Sequence, residues 1–304
     1  MYASTECANI YDVIEFMDTN MQAAGWTRLD IDHVTVDGAS RTSYCVWQGI
    51  GDGNDKIYLQ CRIKEGSKTD MHLDSMAGFD IHLEYFEQPG SIQQTMKADG
   101  EADVLQPMFT VTEDQRFYFW IYIDNYRVVG VARMSIVYES FYMGFITPIA
   151  SERQYPYPMY VAGNGVATQG SWPDNETGSF IFPKDTSGGL RRADGTWRIF
   201  DADVATPDPN AEGTVFPYTS HNEKLVPNYK SGDTEEQDNF LLIPVMLQTN
   251  NPIDVNGILR DVFWLSGTRD IASEQILVYD SEQYMVFDVK QLRGSNTYFC
   301  IKMV

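Results

Sequence analysis

Apolar and polar positions along the chain follow two different periods. Ile10, Val13, Ile14, Met17 and Met21 recur at helical spacing and predict one short helix. The pattern stops at Gly25, the residue type that most readily ends a helix. Beyond it the period falls toward two. WTRLDIDHVTV begins to alternate as a strand does. SYCVWQGIG and KIYLQCRIKEG flank GDGND, and two apolar runs around a Gly/Asn/Asp turn predict a β-hairpin. MHLDSMAGFDIHLEYF reads as one or two further strands.

Residues 88 to 108 are polar and marked by glycine and proline, so a loop is expected there. RFYFWIYIDNYRVVGVARM follows, rich in aromatic and β-branched residues around Asp124-Asn125, and predicts a second hairpin. IVYESFYMGFITPI fits either a strand or a short helix and ends at Pro148. From 151 to 235 the chain changes character: it carries most of its prolines, many glycines and the aromatics Trp172, Phe180, Phe182, Trp197 and Phe216. Flexible linkers seldom hold so many large rings. Long loops held to a body by aromatic anchors are expected, and loops of this length usually serve function or contact. NFLLIPVML, ILRDVFWLSG, QILVYDSEQYMVFDVKQL and TYFCIKMV predict four to six closing strands. No repeat of fixed period is present. The expected class is α+β, predominantly antiparallel β with a short N-terminal helix and long aromatic-containing loops. Residues 1–90 are expected to form a small helix-plus-meander domain and 109–304 a β-rich domain, with the long loop region at about 151–235.

Charge narrows the possible partners. Lys and Arg number 22 against 43 Asp and Glu, a net charge of -21. Such a surface repels a phosphate backbone and an anionic bilayer, so neither nucleic-acid binding nor membrane insertion is expected. No apolar run reaches the roughly 20 residues that span a bilayer. The opening MYASTECANI lacks a basic start and an apolar run, so no secretory signal is expected. Cys7, Cys45, Cys61 and Cys300 form no CxxC pair, which argues for buried free thiols rather than structural zinc.

Catalytic motifs are recognised by the chemistry their residues must perform. A strained serine elbow requires GxSxG, and Gly170-Ser171-Trp172 does not fit. The histidines are His33, His72, His82 and His221, with no HExxH, although His72 and His82 have the means to meet across strands. Asp30, Asp32 and His33 have metal-ligand chemistry, but alternation puts such acids on the wet face of a strand. Asp52, Asn54 and Asp55 resemble the start of a calcium loop without its spacing, and fit a hairpin turn better. Asp201, Asp203 and Asp208 suit a solvated loop. Gly163, Gly165 and Gly170 do not open a helix in the dinucleotide-binding form. No metal, cofactor or catalytic residue is therefore assigned.

Three stretches together resemble a known family. They are the helix ending in AAGWTRLD, the block FWIYIDNYRVVGVARMSIVYESFYMGFITPIASERQYPYPMYVAGNG, and LLIPVMLQTNNPIDVNGILRDVFWLSG. Their order is similar to that in virion structural proteins of tailed bacteriophages, from about residue 8 to 300, with the YPYP run the most specific part. The resemblance implies a noncatalytic ring subunit of the tail, baseplate or head-tail neck. It also implies copies of itself and other virion proteins as partners, and a place in the virion after assembly in the host cytoplasm. One departure is Arg260-Asp261, where the family pattern has a Gly or Asp-Gly turn. Two alternatives stay open: a receptor- or carbohydrate-binding tail protein, and a cell-wall hydrolase working through paired carboxylates.

The candidate interface is Tyr155, Pro156, Tyr157, Pro158, Trp172 and Trp197. The two prolines fix φ near about -65° and remove two backbone donors, so the run holds an extended shape without sheet partners. The tyrosines present flat amphipathic faces at low entropy cost. Such a segment either anchors the long loops on a neighbouring subunit or forms an internal packing corner.

Overall fold

The computed structural model describes residues 1–52, 55–65, 78–86, 108–112, 116–135, 137–149, 158–163, 179–181, 188–192, 197–200, 213–216, 242–250, 253–265, 271–288 and 298–303. Their architecture is antiparallel β with one helix, α1 (Tyr11–Ala23), as the apolar pattern predicts. The helix closes at Gly25, whose φ is +92°. A strand that the pattern did not reveal comes before it, β1 (Tyr2–Cys7).

The five-stranded sheet runs β2 (Thr27–Val36), β3 (Ala39–Asp52), β4 (Asp55–Glu65), β5 (Gly78–Phe86), β6 (Met108–Thr112) in simple meander order. The expected hairpin sits at its centre, with Asp52 opposite Asp55 across the turn. The seven-stranded sheet has the order β1, β7 (Phe117–Ile123), β8 (Arg127–Met134), β9 (Val137–Phe145), β10 (Met159–Ala162), β11 (Gly188–Arg191), β12 (Trp197–Phe200). IVYESFYMGFITPI thus resolves as a strand, β9. The six-stranded sheet has the order β13 (Gly213–Phe216), β14 (Leu242–Asn250), β15 (Ile253–Leu265), β18 (Tyr298–Met303), β17 (Glu282–Asp288), β16 (Ile276–Tyr279). Five of these lie in the closing stretch where four to six strands are expected. The region 151–235, read as loops, contains the four short strands β10 to β13.

Strand alternation explains how the sheets stack. In β7, Phe117, Phe119, Ile121 and Ile123 face one way, toward α1 and the five-stranded sheet. They meet Val13, Ile14, Met17 and Met21 of the helix, and Trp47 and Leu59 of the hairpin. Trp120 and Tyr122 face the other way, into a second core with Leu247, Trp264, Phe287, Phe299 and Ile301 of the six-stranded sheet. β8, β9 and β10 repeat the division, so the seven-stranded sheet is the middle layer. Phe180, from the aromatic-bearing region, is fully buried in this second core with its ring 5.3 Å from that of Phe299. The hydroxyl of Tyr160 donates to its carbonyl at 2.7 Å. Each large apolar side chain so buried contributes on the order of 2 kcal/mol.

One buried carboxylate ties the helix to its sheet. Asp18 of α1 accepts from Trp47 Nε1 at 2.8 Å, Gln22 Nε2 at 2.8 Å and Arg28 at 2.7 Å, with the Cys45 thiol at 3.5 Å. Burying a charge is costly unless it is paired and hydrogen-bonded, and four donors meet that need.

Two predictions follow from the packing. At Gly130 a side chain would collide with the ring of Phe141, which lies over the backbone of β8. Gly130→Ala should therefore cost about 2 kcal/mol in urea unfolding, within the range for overpacking; an unchanged midpoint would show that the ring yields freely. The second concerns the four cysteines, all buried free thiols. Burial raises Cys7 from 9.0 to about 12, and raises Cys45 and Cys300 further. Unfolded thiols ionise near pH 9 while these folded ones hold their protons, so the unfolded state binds fewer protons and stability falls as pH rises above about 9. The unfolding free energy from urea titrations should drop between pH 8 and 10, by up to about 1.4 kcal/mol per thiol per pH unit. Cys300→Ala should flatten that slope.

Candidate interaction surface

The proline-tyrosine run feeds directly into the middle sheet. Tyr155, Pro156, Tyr157 and Trp172 lie outside the described residues. Pro158 is buried, and its carbonyl accepts the Ile146 N–H at 3.1 Å. The next residue begins β10, a strand whose four residues are all buried and which pairs with β9 from Met159↔Phe145 to Ala162↔Tyr142. At Pro158, then, the run is packed inside the protein. Trp197 begins β12, the end strand of the middle sheet, opposite Arg191. The structure therefore assigns a backbone position to two of the six candidate interface residues, Pro158 and Trp197.

Where the layers meet, a polar seam replaces apolar packing. The turn between β7 and β8 is an Asx turn: Asp124 Oδ1 accepts the N–H of Tyr126 at 2.7 Å and of Arg127 at 2.9 Å. Its other oxygen lies 3.2 Å from Arg127 Nε, and its carbonyl accepts Trp26 Nε1 at 2.8 Å. The Arg127 side chain is only 2% exposed and reaches across to Asp261 of β15 at 3.1 Å. Two carboxylates thus compensate one buried guanidinium.

Arg260-Asp261, where the chain departs from the family's Gly or Asp-Gly turn, falls in the stretch ILRDVFWLSG that reads as a strand, and the structure has a strand there. Both residues lie inside β15, where the ladder with β14 slips between Pro244 and Met246. This bulge requires a left-handed residue, and Asp261 has φ +55°. Aspartate tolerates that conformation better than most residues, and here its carboxylate gains Arg127. The bulge also sets the Arg260 guanidinium 4.2 Å from the centre of the Tyr126 ring. Just beside it, Thr147 and Ile258 exchange backbone hydrogen bonds of 2.9 and 2.8 Å, joining the end of β9 to the six-stranded sheet.

A second polar cluster fixes the far side of that sheet. Glu274 accepts from Arg133 and, at 2.7 Å, from the Tyr138 hydroxyl. Burial, then the hydrogen bond to Glu274, pushes the Tyr138 phenol up to about 12. The Arg133 guanidinium in turn lies 4.7 Å from the Tyr118 ring centre.

The sheet edges differ in how they meet solvent. β2 is almost wholly exposed. Its ladder with β3 slips twice, between Arg28 and Asp30 and between Asp32 and His33. Asp30 and Asp32 are exposed, and each accepts the N–H of the residue after it, at 2.9 and 2.8 Å. Bulges and charges of this kind discourage strand pairing. The Thr42 hydroxyl lies 3.3 Å from His33 Nδ1. Among the described residues no three Asp, Glu, His or Cys side chains are placed to hold a metal ion. His72 lies outside the described residues, as do Asp201, Asp203 and Asp208. An edge of the six-stranded sheet, β16, has neither bulge nor charge, and Ile276, Val278 and Tyr279 stand 47%, 64% and 59% exposed.

No family model matches the chain, and no curated protein matches it.

The bulge generates a test by substitution. Asp261→Gly loses the ion pair but accepts the positive φ, whereas Asp261→Ala loses both. Denaturant midpoints should place the alanine variant about 1 kcal/mol below the glycine variant. Equal midpoints would mean that the backbone there relaxes.

Proposed function

We propose that the chain is a noncatalytic structural subunit of a tailed-phage particle, assembling with copies of itself and other virion proteins in the tail, baseplate or neck. The observation that carries this reading is where the family-like block falls. FWIYIDNYRVVGVARMSIVYESFYMGFITPI forms β7, β8 and β9, and YPYPMYVA leads into β10. The resemblance therefore runs through the middle layer, on which both other layers are packed. In such an assembly the work is done by rigid layers and by their surfaces, and ring contacts repeat one heterologous interface until it closes. The strong acidity keeps free subunits apart until a template supplies complementary charge.

Cryo-electron microscopy of intact particles that carry this chain tests the reading. A closed ring of identical copies at the neck or tail end is the expected result. Density only on peripheral fibres would favour receptor binding instead. Absence of the chain from purified particles would overturn the proposal.

A further inference from the structure

Val278 and Tyr279, the two most exposed large apolar residues among those described, lie with Ile276 on one sheet edge, and their setting is specific. β16 and β17 are joined by the two-residue turn Asp280-Ser281, with φ of +50° and +68°. Tyr279 pairs with Glu282 across this turn. At the other end the Val286 N–H donates to the Gln275 carbonyl at 3.0 Å. Hydrogen-bonding direction alternates along a strand, so residues 275, 277 and 279 turn their backbone groups toward β17. Ile276 and Val278 then turn theirs to the open side.

Side chains tell the same story. Register links Val262, Ile301, Met285 and Ile276 into one transverse row across β15, β18, β17 and β16. Val262 and Ile301 are fully buried and Met285 nearly so. Ile276 continues the row but is left half open, with Val278 beside it on the same face. The core row thus reaches the edge one strand before it is covered. Glu274, held by Arg133 and Tyr138 at the start of β16, makes this edge a fixed platform rather than a fraying end.

We propose that β16 is a docking edge for an extended strand of another protein, one that alternates apolar residues with Lys or Arg. The added strand would take the free backbone groups of Ile276 and Val278 and cover their side chains, the β-augmentation mode of recognition. Charge selects the partner. Glu274 stands just before β16, and Asp280 and Glu282 just after it, on a chain of net charge -21. Glu282 has Lys302 at 3.0 Å and Glu274 has Arg133, which leaves the Asp280 end acidic. A second copy pairing antiparallel would set the Glu274 end of one strand against the Asp280–Glu282 end of the other, between two chains that already repel. A basic strand meets complementary charge instead. This inference does not depend on the virion reading and holds or fails separately from it.

A fluorescein-labelled, end-blocked peptide alternating lysine and valine serves as the probe, with glutamate replacing lysine in the control. Anisotropy at low salt should show binding of the lysine peptide alone. Val278→Pro removes an outward N–H without changing charge and should weaken binding at least about tenfold. Asp280→Asn should weaken it about threefold and reduce its salt dependence. Hydrogen exchange on the unmodified protein gives a readout free of folding defects: the peptide should slow the amides of Ile276 and Val278. Equal binding of both peptides, an unaffected Val278→Pro variant that remains folded, or no added protection at these two amides would overturn the proposal. So would self-association of the free protein abolished by Val278→Pro, since the edge would then belong to a second copy.

Discussion

Burial of the seven-stranded sheet on both faces is the constraint on which the other layers depend. Antiparallel sheets often keep one face in water. Here β7 presents phenylalanine and isoleucine on one side and Trp120 and Tyr122 on the other, so both sides need a cover. The helix with the five-stranded sheet supplies one cover and the six-stranded sheet the other. Two buried charges lie where layers meet, and each is matched: Asp18 by Arg28 and Trp47, Arg127 by Asp124 and Asp261.

The sequence made much of this legible because the relevant signals are local. Ile10 to Met21 recur with the helical period, and the two central hairpins are marked by apolar runs around Asp52–Asp55 and Asp124-Asn125. What stayed hidden depends on partners far along the chain. YASTEC carries no alternating apolar pattern; it is a strand because β7 offers an edge, and only Cys7 of its residues is fully buried. Arg127 looks like a solvated charge until the fold brings Asp261, 134 residues away, against it. The Arg260-Asp261 pair departs from the Gly or Asp-Gly turn of the resembling family, and nothing local in a stretch that reads as a strand reveals its positive φ. The fold meets the same backbone demand with a bulge. The uncovered Ile276 and Val278 were also invisible, since a strand reads the same whether it lies at an edge or in the middle of a sheet.

The edge strands β2 and β16 show that exposure alone does not make a surface sticky. β2 is the longer, but its bulges and carboxylates interrupt the ladder a new strand would need. β16 is short, regular and apolar, and it is braced by Glu274. The contrast comes from pairing geometry more than from composition.

The order of strands in the middle sheet also bears on synthesis. β1 and α1 leave the ribosome well before β7, yet β7 is the partner of β1, with Tyr2 opposite Tyr122. Until the chain has grown past that point, Val13, Ile14, Met17 and Met21 have only part of their cover. The hairpins β3–β4 and β7–β8, whose contacts are close in sequence, are free to form early, whereas closure of β1 onto β7 must wait. The nascent chain therefore passes through a stage in which the helix leans on the five-stranded sheet alone, with its second wall still to be made.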